Sequence, residues 1–278
     1  MSRLDAHVHL WDPERGDYGW LGPHLPKLNR RFTSAQLESV LGANGIDAVV
    51  LVQAAPTAAE TDHALSLAAA SPWIKGVVGW VELDSPTAGD EVARRAAIPK
   101  LVGIRPMLQD LSERDWILKA PCAAGLEALE ASGLTFDALI RPQHLPAIAE
   151  LARRYPKLPI VIDHAAKPVI GRVMDSAWRT AMRELAGYSN ITCKLSGLMT
   201  ELADAAEAPM IPFHVGELLD AFGSERLLWG SDWPVMTQVT TYREWLDLSE
   251  LCLGGLAMDA RERVFGSNAA RFYRLERV

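Results

Sequence analysis

Along this chain, short apolar runs take turns with longer stretches that present an apolar residue every three or four positions. The apolar runs predict strands at residues 4–10, 46–53, 74–81, 101–105, 134–140, 159–163, 190–195 and 226–230. The run 46–53 is continuous and partly β-branched, as a parallel strand buried on both faces should be. Thr33-Ser34-Ala35-Gln36 reads as a capping box ahead of Leu37, Val40 and Leu41, with Gly42 and Gly45 as the stop. Thr57-Ala58-Ala59-Glu60 is a second box, opening a helix that runs to about Ser71. Ser85-Pro86 opens a third, with proline at its first position. Further helices are predicted at 112–132, 144–155, 175–186, 212–222, 242–252 and 259–273.

Strands alternating with helices call for parallel pairing through right-handed crossovers. Eight such units in 278 residues suit one closed (β/α)8 TIM barrel, a fold of about 250 residues. It would span 1–278 as a single domain, with the helices of 242–275 at its end. An open doubly wound sheet is the alternative, but it would spread the candidate residues along an edge. No linker, low-complexity tract or repeat divides the chain. Residues 11–32 form a loop longer than the ~15 residues usual in a compact domain. Its Trp11, Tyr18 and Trp20 predict that it is ordered.

Composition narrows the class. Apolar residues are 49% of the chain, which excludes disorder. Net charge is −7, from 28 basic and 35 acidic residues, and no basic run suited to nucleic acid or an anionic membrane is present. No apolar stretch approaches the ~18 residues of a transmembrane helix. The first strand begins too early to leave room for a signal peptide. Cys122, Cys193 and Cys252 are far apart and have no CxxC spacing. They read as reduced thiols of a cytoplasmic protein, filling core space rather than acting as nucleophiles.

The candidate chemistry lies where the strands end, since a barrel of this kind builds its site at those ends. On strand one, alternation places Asp5, His7 and His9 on one face. Two imidazoles at that spacing can converge on a metal ion or on a substrate oxygen. The following strands end in Gln53, in Trp80 and Glu82, in Arg105 followed by Gln109, and in Arg141. The last three end in Asp163-His164, in Lys194 and Ser196, and in Asp232. A polar group closing nearly every apolar strand is hard to account for as solvation. His24, His63, His144 and His214 fall in loops or helices and read as structural.

The His-x-His of strand one, His164 after strand six and Gly230-Ser231-Asp232-Trp233-Pro234 after strand eight resemble the amidohydrolase superfamily. Gly266-Ser267-Asn268-Ala269-Ala270-Arg271 is similar to its C-terminal helix. Within it, the chain resembles the sugar-lactone hydrolases, such as L-fuconolactonases and L-rhamnonolactonases. That likeness rests on Tyr18-Gly19-Trp20-Leu21, Val52-Gln53-Ala54, Gly103-Ile104-Arg105, Leu108-Gln109-Asp110, Thr135-Phe136-Asp137, Asp163 to Pro168 and Cys193 to Leu198. Binuclear members carry a bridging lysine or glutamate on strand four and a histidine on strand five. This chain has Arg105 and Arg141 there, and a guanidinium cannot ligate a metal.

The resemblance therefore implies one divalent ion, zinc first, held by His7, His9 and Asp232 with His164, or a site that works without metal. It implies Asp232 as general base on water and His164 as carbonyl polariser or proton shuttle. His7 and His9 would hold the metal or donate to the oxyanion. Arg105, Gln109 and Arg141 would bind hydroxyls or a carboxylate, and Lys194 would bind substrate or brace Asp232. Gln53 joins the substrate-binding set. Trp20, ahead of Trp80, Trp116 and Trp233, would stack on a sugar. The implied partner is a small-molecule lactone, with neither nucleic acid nor membrane involved. Helix faces do not distinguish a monomer from a homo-oligomer. A dicarboxylate or pyrone-type lactone, or metal-dependent decarboxylation, is the second reading, because paired guanidiniums suit paired carboxylates. A non-catalytic barrel that binds a sugar acid is the third.

Overall fold

The computed structural model describes residues 3–275, so the extreme ends of the 1–278 span lie outside it. The strands are β1 (Leu4–Val8), β2 (Ala48–Val52), β3 (Ile74–Gly79), β4 (Leu101–Ile104), β5 (Thr135–Ala138), β6 (Ile160–Ile162), β7 (Ile191–Leu195) and β8 (Leu227–Trp229). They pair in parallel in chain order. A parallel bridge between Val8 and Trp233 joins the last strand to the first. His9 N donates to Trp233 O at 2.7 Å and Asp232 N to His7 O at 2.9 Å, so this seam carries site residues on both sides. The fold is the expected single (β/α)8 barrel.

Around it run α1 (Ser34–Asn44), α2 (Ala58–Ala70), α3 (Ala88–Ala96), α4 (Ala123–Ser132), α5 (Leu145–Arg154), α6 (Ser176–Leu185), α7 (Ile211–Phe222) and α8 (Tyr242–Cys252). Alternate strand residues such as Phe136, Ile160, Ile162, Cys193 and Trp229 belong to one large apolar cluster with helix residues such as Leu126, Ile148 and Trp245. Inside the barrel, Leu4, Ala48, Val50, Val161 and Leu228 form a second cluster with Ala269 and Tyr273. Leu4 and Ala48 are the first residues of β1 and β2, and Ala269 and Tyr273 from the end of the chain pack with them, so the barrel's lower end is closed by apolar packing.

Several boundaries move for identifiable reasons. The predicted helix 112–132 is only α4, preceded by 3-10 turns at Trp116–Leu118 and Ala120–Cys122. Pro121 offers no N–H and disfavours helical geometry in Ala120, so the helix begins after it. Pro86 lies outside α3, whose N-cap is Thr87. Ser85 Oγ accepts from Thr87 N at 3.3 Å, a local turn that competes with helix. The box at Thr33 and Gln36 is complete. At Thr57 only half exists, because Glu60 turns to Ala54 N and to Tyr18 OH at 2.6 Å. The predicted helix 259–273 is α9 (Met258–Glu262), a π turn over Arg263–Ser267 and α10 (Asn268–Phe272). The long loop is ordered: Trp11 Nε1 donates to Leu28 O and Arg30 O.

The main departure is on β1. Its register against β2 shifts between Asp5 and Val8, and an irregularity there breaks strict alternation. Asp5 turns toward α8, where its Oδ2 accepts Tyr242 OH at 2.7 Å. Its Oδ1 accepts the backbone N–H of Ser231 at 2.9 Å and of His7 at 3.0 Å. His7 turns into the barrel instead, so Asp5 and His7 do not share a face. Asp5 thus ties β1 to the segment after β8 on which Asp232 sits. Asp5→Ala, which orphans these buried donors, is expected to cost about 3–5 kcal/mol in urea unfolding. Asp5→Asn keeps an acceptor for the two N–H groups and should cost far less.

Candidate active site

Seen from below, the interior polar residues form two layers. The lower layer is a buried ion cluster. Lys194 Nζ lies 2.7 Å from Asp137 Oδ2, 2.9 Å from Asp163 Oδ1 and 3.1 Å from His7 Nδ1. Tyr273 OH donates to Asp137 Oδ2 at 2.6 Å, and Thr135 Oγ1 donates to Asp137 Oδ1 at 2.8 Å. Arg105 Nη1 reaches Asp163 Oδ2 at 3.3 Å. Burial works to raise the Asp163 carboxyl, but Lys194, His7 and Arg105 hold it well below the usual range. Burial and the Lys194 charge keep the His7 ring neutral against the pull of Asp163.

The upper layer faces the cavity. His9 Nδ1 is 2.8 Å from Val52 O. A carbonyl can only accept, so the His9 proton is on Nδ1 and Nε2 carries the lone pair. That Nε2 lies 3.1 Å from His7 Nε2 and 3.3 Å from Asp232 Oδ1. The same carboxylate oxygen is 3.8 Å from His7 Nε2 and 3.9 Å from His164 Nε2. Burial raises the Asp232 carboxyl, while His164, His9 and His7 pull it the other way, below the ordinary range, a pull that needs a proton or a cation among their Nε2 atoms. Burial lowers His164 to about 4, so its ring is neutral near pH 7.

Backbone strain aims two of these groups. Asp232 has φ 60°, and His164 to Lys167 form a run of four residues in the left-handed region. Such conformations cost about 1–3 kcal/mol each outside glycine and persist where the surroundings enforce them. Here Trp178 Nε1 donates to Ala165 O at 2.8 Å, and His164 Nδ1 sits 2.9 Å from Ser196 Oγ. Gly197, itself at φ +67°, lies against the His164 ring, and a Cβ there would stand 2.6 Å from Nδ1. A Cβ on Gly230 would meet His7 Cβ at 2.9 Å.

A cavity of about 300 Å3 opens over this layer. His9, Trp20, Arg105, Gln109, His164 and Asp232 line it, together with Trp11 and Lys167. Gln109 Oε1 is buried without a partner among the described residues. Three sequence candidates lie elsewhere. Arg141 is exposed beyond β5 and does not line the cavity. Gln53 lies behind the wall and holds Arg105: its Nε2 donates to Arg105 O at 2.9 Å and its Oε1 accepts from Arg105 Nη2 at 3.0 Å. Lys194 is wholly buried and braces Asp137, Asp163 and His7 rather than Asp232 or a substrate. Conversely, Asp163, Asp137, Ser196 and Lys167 matter more than the sequence suggested. The available signal was a carboxylate inside or closing an apolar strand, as in Thr135-Phe136-Asp137 and Ile162-Asp163.

His7, His9 and Asp232 offer ligand atoms within 4.8 Å of one another. They suit one divalent ion in chemistry. His9 Nδ1 is engaged by a carbonyl, as ligating imidazoles usually are. His7 Nδ1 accepts from Lys194 Nζ at 3.1 Å, so the neutral ring carries its proton on Nε2, facing His9 Nε2, and would have to give that proton up to bind an ion there. Arg105 Nη1 lies 3.4 Å from His7 Nε2 and, as a guanidinium, adds no ligand to this set.

A barrel that gathers a His-x-His pair, a histidine and a carboxylate at its strand ends defines an amidohydrolase-type enzyme. The amidohydrolase family model matches residues 4–275, and the chain belongs to that family. An L-fucono-1,5-lactonase of Burkholderia ambifaria is 44% identical over 279 residues, covering 99% of this chain and 96% of that protein. Another, of Burkholderia multivorans, is 35% identical over 286 residues, covering 98% and 96%. A solved amidohydrolase structure from Burkholderia multivorans, with bound zinc, has a TM-score of 0.94 at 34% identity, covering 99% of this chain and all of that one.

The lower layer and the thiols can each be tested. Lys194→Met strands two carboxylates in the interior and is expected to lose about 3–5 kcal/mol in urea unfolding. Adding Asp137→Asn to it should recover a measurable part of the loss. Burial pushes the Cys122 thiol up to about 11 and raises Cys193 as well. The Cys122 thiolate fraction at pH 8 is then about one in a thousand. Iodoacetamide should leave both thiols unlabelled in the folded protein at pH 8, with labelling of Cys122 rising only as pH climbs toward its raised pKa.

Proposed function

We propose that this chain hydrolyses a sugar lactone to the open sugar acid, with L-fucono-1,5-lactone and related deoxy- or hexonolactones as first candidates. The observation that carries the reading is the Asp232 carboxylate, ionised and held against the Nε2 atoms of His9, His7 and His164 at the cavity floor. The lactonase names of relatives 44% and 35% identical over nearly the whole chain support it.

In this mechanism Asp232 takes a proton from water as the water oxygen bonds to the lactone carbonyl carbon. The carbon–ring-oxygen bond then breaks, and the same proton passes from Asp232 to the departing oxygen. His164 polarises the carbonyl from Nε2–H while Ser196 donates to its Nδ1. Arg105 donates to substrate hydroxyls, Gln109 Oε1 accepts from one, Lys167 adds a further donor, and Trp20 offers a ring face. A divalent ion, zinc first, would be held by His7, His9 and Asp232, with His164 the nearest further nitrogen. It would supply Lewis-acid polarisation of the carbonyl. Free thiols fit a reducing compartment, and we assign the protein to the cytoplasm. No helix among the described residues is long and apolar enough to cross a membrane.

The dicarboxylate reading rested on two guanidiniums facing the site. With Arg141 exposed and away from the cavity, only Arg105 remains of that pair.

The test is a pH-indicator assay on L-fucono-1,5-lactone and a panel of aldono-1,4- and 1,5-lactones. Asp232→Asn should reduce kcat by about 10³-fold with an unchanged circular dichroism spectrum. Running wild type with chelator, then with added zinc, separates ligand roles for His7 and His9 from hydrogen-bonding ones. No acid release from any lactone of the panel under either condition would overturn the proposal.

A further inference from the structure

A second cavity, of about 550 Å3, opens on the same end of the barrel and meets the catalytic one at Trp20, Met107 and Asp110. Its walls come from the long loop after β1 and from the segments after β3 and β4. Trp80 and Glu82, which close the third predicted strand, lie here and not over Asp232. Trp116 lies here as well.

Three tryptophans converge on this space, and none is fully buried. Trp80 belongs to neither apolar cluster of the protein. Its backbone is nonetheless fixed, because its N–H donates to Thr61 Oγ1 at 2.8 Å. Trp20 is fixed through its side chain, with Nε1 donating to Ala54 O at 2.7 Å. Large aromatic faces held in place yet left uncovered mark a surface shaped for a ligand. The polar part of the wall is one-sided: Asp17, Glu82, Asp84 and Asp110 line it, and no lysine or arginine does. Glu82, Asp84 and Asp110 form no ion pair among the described residues. Such a wall repels anions, including a sugar acid product. It offers acceptors to hydroxyl groups and ring faces to C–H groups, the combination that a neutral pyranose ring presents.

We propose that this cavity is a second carbohydrate subsite, which holds a neutral glycosyl ring attached to the lactone whose carbonyl lies in the first cavity. The inference rests on the lactonase reading and extends it: the preferred substrate is a glycosylated aldonolactone, with the lactone ring over Asp232 and the glycosyl ring against Trp80 and Trp116.

The experiment compares kcat/KM for L-fucono-1,5-lactone with that for the same lactone bearing a galactosyl group at O2, O3 or O4 in turn. At least one glycosylated isomer should exceed the parent by about tenfold, and the ratio should fall toward one in Trp80→Ala. A ratio at or below one for all three isomers overturns the proposal. Should the parent lactone itself not be hydrolysed, the lactonase reading fails, and the cavity is then judged alone. Methyl galactopyranosides are titrated up to about 50 mM against tryptophan fluorescence, in wild type and in Trp80→Phe. A saturating response that Trp80→Phe weakens supports a sugar subsite. No saturating response, or one that Trp80→Phe leaves unchanged, overturns it.

Discussion

The interaction on which the site depends is the Lys194 cation sealed beneath it. Lys194 has no exposed surface, donates to Asp137 and His7, and pairs with the Asp163 carboxylate at 2.9 Å. Burying such a group is costly unless every charge finds a partner at good distance. The two carboxylates sit on β5 and just beyond β6, next to Lys194 on β7, and the neutral His7 ring on β1 joins them where the barrel closes. The cluster in turn fixes the His7 ring from behind, and His7 faces His9 and Asp232 from the front. Tyr273 reaches up from the end of α10 to Asp137, which links the closing helix of the chain to the same cluster.

Above that floor, precision comes from backbone in unfavourable geometry. The left-handed run from His164 to Lys167 and the positive φ of Asp232 place these two side chains where regular strand geometry would not. Neighbours hold them there: Gly197 leaves room for the His164 ring, Ser196 meets its Nδ1, and Trp178 ties down Ala165. This is local strain kept by surrounding structure, and it coincides with the cavity wall.

Much of this was legible in the sequence. Apolar runs alternating with amphipathic ones specify parallel strands and helices, and eight of them suit a closed barrel, with an open sheet as the alternative that the structure removes. His7, His9, His164 and Asp232 stood out because a polar side chain at the end of a buried strand is costly to keep there unless it has a partner or a ligand to meet. What was hidden depends on register or on distant partners. Alternation placed Asp5 with His7, but the irregularity on β1 sends Asp5 to Tyr242 and His7 to Lys194. Arg141 looked like a strand end, but β5 stops at Ala138, and by residue 141 the chain has left the cavity. Lys194 could be placed inside from its own strand, but its partners lie 57 and 31 positions away in sequence, and no local pattern names them.

The seam between β1 and the segment after β8 has a consequence for how the enzyme comes into being. Synthesis proceeds from the N-terminus, so the imidazoles of His7 and His9 emerge first and their carboxylate more than two hundred residues later. Asp232 is then set by backbone bonds to the strand made earliest. A growing or interrupted chain therefore carries the imidazoles without the carboxylate they face.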